Sequence, residues 1–228
     1  MQAVYERLDA IESILPELEE FLRQTQAEDL GITTKSNPMD LVTRADVESE
    51  LRLIQCIRRH FPGDGILAEE GGDQGGSGEF CWVLDPVDGT INYAHGLPLY
   101  GVSIGLTYQG EPVGGITSLP GLGNRYRAIK DGGAFKDGRP IRVSGRDAFA
   151  SALTVTGFPY NRQEMMDQLV DGGRLMLGNA RGLRRTGAAS LDLCWLAEGR
   201  FDAYYEYNLN AWDTCAGTVL VREAGGRI

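Results

Sequence analysis

Residues 82–90, Trp-Val-Leu-Asp-Pro-Val-Asp-Gly-Thr, constrain this chain more than any other stretch. The apolar run reads as a buried strand. It ends in Asp85 and Asp88, three residues apart, which can place carboxylates around one ion. Gly89 and Thr90 then open a helix whose first backbone N–H groups have no partner one turn earlier and face an anion. A cation site touching a phosphate site is the minimum equipment for metal-assisted phosphoryl transfer. Asp-Pro and Asp-Gly are also ordinary turn dipeptides, so the segment takes its meaning from its company.

The 228 residues carry a formal net charge of −10. A nucleic-acid backbone needs a basic surface, so the charge argues against it as the main partner. Phosphate still binds to an acidic protein where divalent cations bridge the two. The four cysteines, Cys56, Cys81, Cys194 and Cys215, are widely spaced and form no CxxC pair, which argues against a cysteine zinc site. Buried thiols in a reducing cytosol fit best, although an even count leaves disulfides open. The amino terminus lacks a signal-peptide core, and no run approaches the roughly 20 apolar residues of a membrane span. A cytoplasmic protein with no membrane contact is expected.

Along the chain, Val4, Leu8, Ile11, Leu15, Leu18 and Leu22 have helical spacing, with Pro16 predicting a break. Residues 31–40 read as a loop or hairpin. Residues 45–60 read as a helix burying Val47, Leu51, Ile54 and Ile57, ended by Phe61-Pro62-Gly63. A short strand at 66–68 leads into Glu69 and Glu70, and the glycine-rich tract 71–78 reads as mobile. Strands follow at 80–84, 100–108, 113–119, 125–130 and 141–143, with turns at 132–135 and 137–138. Beyond residue 148 strand and helix alternate: strands at 153–156, 183–185 and 201–205, helices at 163–177, 190–196 and 214–224. The reading is α+β, with domains at 1–148 and 149–228.

Four further acidic segments bear on the opening motif. Each has an ordinary alternative. Asp46 suits a helix amino terminus, Asp213 suits an N-cap, Glu69-Glu70 suits a solvated loop, and Glu206 suits a strand end. Taken together, the segments resemble the inositol monophosphatase family, within the wider group that includes the fructose-1,6-bisphosphatases. The matching residues are Asp40-Leu41-Val42-Thr43 with Asp46, Ala68-Glu69-Glu70, residues 82–90 with Asn92-Tyr93, and Trp212-Asp213. Residues 102–105, 132–135, 187–192 and 223–226 extend the match over nearly the whole chain. Ala68 stands where the family usually has glycine. The family normally continues with more strand and helix where this sequence ends at Ile228, which leaves a sheet edge expected to lack its cover.

The resemblance implies a layered αβαβα sandwich with the active site between two domains. It implies metal ligation by Glu69, Asp85, Asp88, Asp213 and the backbone carbonyl of Val87. Such hard oxygen donors suit two or three Mg²⁺ ions, or Mn²⁺. Asp85 bridges two ions in that scheme, and Asp88 and Asp213 hold the second. A metal-activated water attacks, Glu69 orients or deprotonates it, and Thr90 hydrogen-bonded to Asp46 offers a second proton route. The N–H groups of Gly89 and Thr90 take the phosphate. Asp88, Gly187, Ala188 and Glu206 meet the substrate's ring, while Lys35 and Asp40 shape a loop over a weaker third ion. His60 and His95 are left as structural.

The activity so implied is Mg²⁺-dependent hydrolysis of inositol monophosphate or a related sugar phosphate. Fructose 1,6-bisphosphate, histidinol phosphate and adenosine 3′,5′-bisphosphate are the alternative substrates. Glu206 favours a polyol, and no adenine pocket is legible. A non-catalytic metal- and phosphate-binding member is a further alternative. Competition between Li⁺ and Mg²⁺ and a homodimer are also implied.

Overall fold

The structure, a computed structural model, describes residues 1–28, 30–34 and 41–228. The amino-terminal apolar stripe forms α1 (Gln2–Glu12) and α2 (Leu15–Thr25), with the expected break just ahead of Pro16, in the first turn of α2. All six stripe residues are buried. Each contributes about 2 kcal/mol relative to an exposed side chain. β1 (Thr33–Thr34) and β2 (Leu41–Val42) pair antiparallel and lead into α3 (Arg44–His60).

The inward face of α3 differs from the expectation. Val47 and Leu51 are about half exposed, while Asp46, Ser49, Glu50, Leu53, Cys56 and Ile57 are buried. Two hydrogen-bonded acids set this rotation. Asp46 caps the helix start, and Glu50 Oε2 accepts from the N–H of Glu70 at 2.9 Å. Polar anchoring therefore outweighs the apolar spacing.

Eight strands follow as one sheet in the order β10-β9-β8-β7-β6-β5-β3-β4. They are β3 (Gly65–Ala68), β4 (Gly72–Asp73), β5 (Phe80–Asp88), β6 (Gly101–Tyr108), β7 (Glu111–Leu119), β8 (Asn124–Ile129), β9 (Gly133–Lys136) and β10 (Arg139–Pro140), with α4 (Thr90–Ala94) between β5 and β6. The glycine-rich tract 71–78 is tied down. β4 pairs with β3, and the N–H groups of Ser77 and Gly78 donate to Gly63 O at 3.0 and 2.9 Å. Residues 133–136 form a strand in place of the expected turn. Among the described residues, 141–143 join no strand ladder in place of the expected strand; Ile141 N donates to Ala134 O at 3.0 Å and Val143 N to Ala224 O at 3.1 Å.

A second sheet, of three parallel strands in the order β12-β11-β13, holds β11 (Leu153–Thr156), β12 (Gly182–Arg184) and β13 (Ala203–Tyr205). Its connecting helices are α5 (Met166–Asn179) and α6 (Ala189–Ala197), and α7 (Ala211–Glu223) follows β13. Helices α1–α3 cover one face of the large sheet around Leu8, Leu18, Leu53, Trp82 and Ile104. Helices α6 and α7 cover the other around Leu119, Tyr126, Leu191 and Leu220, with the small sheet and α5 beyond. The result is the α+β layered sandwich of helix, sheet, helix, sheet and helix. All four cysteines are free thiols. Among the described residues no helix is long and apolar enough to cross a membrane.

Candidate active site

In a regular strand, residues three apart face opposite sides. Asp85 and Asp88 escape that rule through a bulge. Asp85 pairs with Ser103 and Asp88 with Gly101, so three steps on β5 oppose two on β6. The extra residue returns Asp88 to the side of Asp85 and re-aims both carboxylates. Asp85 Oδ1 accepts from Val87 N at 3.0 Å. Asp88 accepts from the first two amides of α6, Ala189 N at 3.2 Å and Ser190 N at 2.6 Å. A helix amino terminus thus holds one acid of the cluster in place.

Gly89 turns the chain with φ +86°, and a Cβ there would stand 2.9 Å from Ala188 Cβ and 3.1 Å from Leu99 O. Only glycine fits both the dihedral and the space. Thr90 follows as the first residue of α4. Its Oγ1 lies 3.1 Å from Asp46 Oδ1 and 2.9 Å from Val87 O, two acceptors for one hydroxyl proton. Asp46 Oδ2 accepts from Thr43 N at 2.8 Å and from the Thr43 hydroxyl. Burial raises the Asp46 pKa, the hydrogen bonds from Thr43 oppose it, and the charge of Glu69 adds to it. Asp46 lies behind Thr90 and does not line the cleft.

Glu69 stands at the end of β3, where its N–H donates to Leu84 O at 3.1 Å. Asp213 is the third residue of α7, and its Oδ2 accepts from Asn210 N at 2.6 Å, so Asn210 takes the N-cap position. Ser103 Oγ donates to Trp212 O at 3.0 Å and fixes that helix start to the sheet. Glu69, Asp85, Val87, Asp88, Gly89, Thr90, Gly187, Glu206 and Asp213 all line one cleft of about 810 Å³, counting its open mouth.

The cleft is electrostatically one-sided. Burial, then the charges of Glu69, Asp88 and Asp213, holds the Asp85 carboxyl well above the usual carboxylate range. Burial raises Asp88 to about 6, even against the hydrogen bonds from Ser190 and Ala189. Burial and the charge of Asp88 raise Asp213 to about 7. Among the described residues no salt bridge reaches Asp85, Asp88 or Asp213. Desolvated like charges are costly until protons or cations neutralise them. By donor type and charge these residues fit a hard divalent cation. Among the described residues no three acidic, His or Cys side chains stand at the spacing of a ready metal cage.

Glu206 lies just past β13. Tyr204 OH donates to its Oε2 at 2.7 Å. Burial raises its pKa, the Tyr204 hydrogen bond opposes that, and Asp88 and Arg185 act in opposite directions. Its carboxylate rests on Gly157, where a Cβ would stand 2.0 Å from Glu206 Oε1.

Ala188 is not brought to the cleft. It is buried against Gly89, and the cleft wall is formed by Gly187 and Ala189 instead. Ala188 is the N-cap of α6, so its side chain packs inward while the next residue turns to the opening. His60 Nδ1 contacts Cys56 O at 2.9 Å, and neither His60 nor His95 lines the cleft. Lys35 and Asp40 lie outside the described residues. Sequence reasoning missed Gly157 and the outer wall of Phe158, Tyr160, Arg162, Arg185 and Tyr207. The available signal was position, since all of these follow strands of the second sheet.

The model of the inositol monophosphatase family matches residues 5–228. Nus factor SuhB of Pseudomonas aeruginosa is 39% identical over 211 residues, covering 90% of this chain and 78% of that protein. Inositol-1-monophosphatase of Synechocystis is 42% identical over 196 residues, covering 86% of this chain and 68% of that protein. Among solved structures, extragenic suppressor protein SuhB from Bartonella henselae superposes with a TM-score of 0.91 at 32% identity, over 96% of this chain and 85% of that one. Inositol monophosphatase from Anabaena superposes with a TM-score of 0.88 at 37% identity, over 99% of this chain and 84% of that one. The match runs through every segment that builds the acidic cleft, and the chain belongs to the inositol monophosphatase family.

Proposed function

We propose that the protein is a Mg²⁺-dependent phosphomonoesterase acting on a phosphorylated polyol or sugar. The observation that carries this reading is the convergence of Glu69, Asp85, Asp88 and Asp213 on one cleft, beside the hydrogen-bonded pair Thr90–Asp46. The four acids and the Val87 carbonyl would hold two or three Mg²⁺ ions, which when bound supply neutralisation of the phosphate and acidification of the attacking water. Val87 O keeps a lone pair for this besides the one facing Thr90.

Glu69 orients the water and accepts its proton. Thr90 passes a proton toward Asp46 Oδ1, the second route of proton transfer, and Thr43 keeps Asp46 aimed at it. The amides of Gly89 and Thr90 hold the phosphate. Asp88 and Glu206 accept hydrogen bonds from ring hydroxyls, and Gly187 and Ala189 shape the wall beside them. We place the working cleft between two lobes divided near residue 148.

The test is phosphate release with Mg²⁺ and with chelator. The panel is inositol 1-phosphate, fructose 1,6-bisphosphate, histidinol phosphate and adenosine 3′,5′-bisphosphate. Mg²⁺-dependent release is expected, and no release from any of them contradicts the reading. The relatives called Nus factor raise a binding role without turnover. Retention of Glu69, Thr90 and Asp46 favours turnover, because a pure binder has no use for the proton-handling set.

Two variants separate the roles. Glu69→Gln is expected to lower kcat by about a hundredfold while KM changes by only about twofold, because the group acts on the attacking water. An unchanged kcat removes Glu69 from that role. Gly157→Ala drives a methyl into Glu206 and displaces its carboxylate. A rise in KM of about tenfold is expected, with kcat falling less. A KM equal to wild type contradicts the substrate contact.

A further inference from the structure

The acids of the cleft floor do not stand on equally firm ground. Asp85 and Asp88 are carried by β5 and Asp213 by α7, but Glu69 lies in the turn 69–71 that joins β3 to β4. The pairing of Ala68 with Gly72 closes that turn into a hairpin. A strand or helix fixes the side chains it carries, whereas a hairpin tip needs support from outside itself. The sheet supplies one anchor, since Glu69 N donates to Leu84 O at 3.1 Å.

Helix α3 supplies the other. Glu50 Oε2 accepts from Glu70 N at 2.9 Å, and a Cβ on Gly71 would stand 2.8 Å from Glu50 Oε1. Both oxygens of one carboxylate therefore bear on the backbone directly after Glu69. Glu50 is 5% exposed and lies one turn beyond Asp46 on the same face of α3. To bury this pair the helix leaves Val47 and Leu51 47% and 50% exposed. Burying carboxylates in place of aliphatic side chains works against stability unless hydrogen bonds compensate. Glu50 does not line the cleft, so its reach into the site runs through the main chain of 69–71.

We propose that Glu50 is a positioning residue for Glu69: by holding the Glu70 amide and the Gly71 backbone it keeps the Glu69 carboxylate turned into the cleft. This deepens the phosphatase reading and rests on it for the chemistry that Glu69 performs. α3 then serves both proton routes. Its first turn aims Asp46 at Thr90, and its second turn steadies Glu69 beside the attacking water. The charge of Glu69 raises the pKa of Asp46 and of Asp85 alike, so it stands beside both routes.

Calorimetric titration with Mg²⁺, without substrate, tests the proposal apart from turnover. Glu50→Ala is expected to weaken Mg²⁺ binding by about tenfold, the low end for a residue that supports a metal ligand from behind. Glu50→Gln removes the charge but keeps an acceptor for Glu70 N, and is expected to stay within about twofold of wild type. In the Glu69→Gln protein, Glu50→Ala should add less than about twofold, because its effect passes through Glu69. Phosphate release should follow, with kcat lower by about tenfold in Glu50→Ala and KM changed by less than about twofold. If Glu50→Ala fails to fold, Gly71→Ala presses a methyl on Glu50 Oε1 with every acid in place, and is expected to weaken Mg²⁺ binding by about fivefold. Wild-type Mg²⁺ affinity in Glu50→Ala, or in Gly71→Ala where that variant replaces it, overturns the positioning role. So do equal losses in the Ala and Gln variants, or a full loss added on top of Glu69→Gln. Absence of phosphate release from wild type with these Mg²⁺ differences intact overturns the phosphatase reading alone.

Discussion

In the Asp85→Asn protein, phosphate release falls by at least about a thousandfold, while the metal-free protein unfolds at a higher temperature than wild type. The two halves share one cause. Asp85 is 2% exposed and stands among the charges of Glu69, Asp88 and Asp213. Asparagine keeps the shape and the hydrogen bond from Val87 N, but it removes the charge a divalent cation needs. Without a cation, the same change relieves a buried like-charge cluster. A gain of about 1 kcal/mol corresponds to roughly 2–4 °C in a chain of this size. Phosphate assays and thermal melts in chelator check both halves. Normal turnover contradicts the cation assignment, and a lowered melting temperature contradicts the account of stored repulsion.

The second large effect is the pH dependence of stability in the metal-free protein. Asp88 at about 6 and Asp213 at about 7 lie above the 3.8 of a solvated aspartate. Burial is the leading cause for both, with Glu69 and Glu206 among the facing acids. The folded form therefore keeps protons that the unfolded form releases. Its stability is fullest below about pH 4 with respect to these groups, and it declines as pH rises through 6 and 7. Asp88 alone accounts for about 3 kcal/mol across that span. A cation that binds the ionised carboxylates reverses the loss. In chelator the melting temperature falls between pH 5 and pH 8, and saturating Mg²⁺ raises it more at pH 8 than at pH 5. A melting temperature that rises over this interval in chelator, or a Mg²⁺ effect equal at both pH values, contradicts the assignment.

Much of this was legible because local chemistry and fold agree. The Val4–Leu22 stripe and the run ending at Asp88 both specify their elements through periodicity and burial. What failed did so where a long-range polar contact decided the outcome. Val47 and Leu51 face outward because Asp46 and Glu50 turn α3 toward Thr90 and Glu70. The tract 71–78 is ordered by hydrogen bonds to Gly63 and pairing with β3, which its glycines do not announce. In the cleft, the acids were legible from their motifs, but the means of bringing them together was not. The β5 bulge that puts Asp85 and Asp88 on one side needs the register of β6 to be seen. The exchange of Ala188 for Ala189 depends on which residue caps α6.

The most direct test of the central claim is phosphate release from inositol 1-phosphate as Mg²⁺ is returned to chelator-treated protein, for wild type and Asp85→Asn side by side. The account predicts no release without Mg²⁺, saturable recovery in the wild type, and none in the variant. Release from wild type that is indifferent to Mg²⁺, or equal recovery in the two proteins, would contradict it.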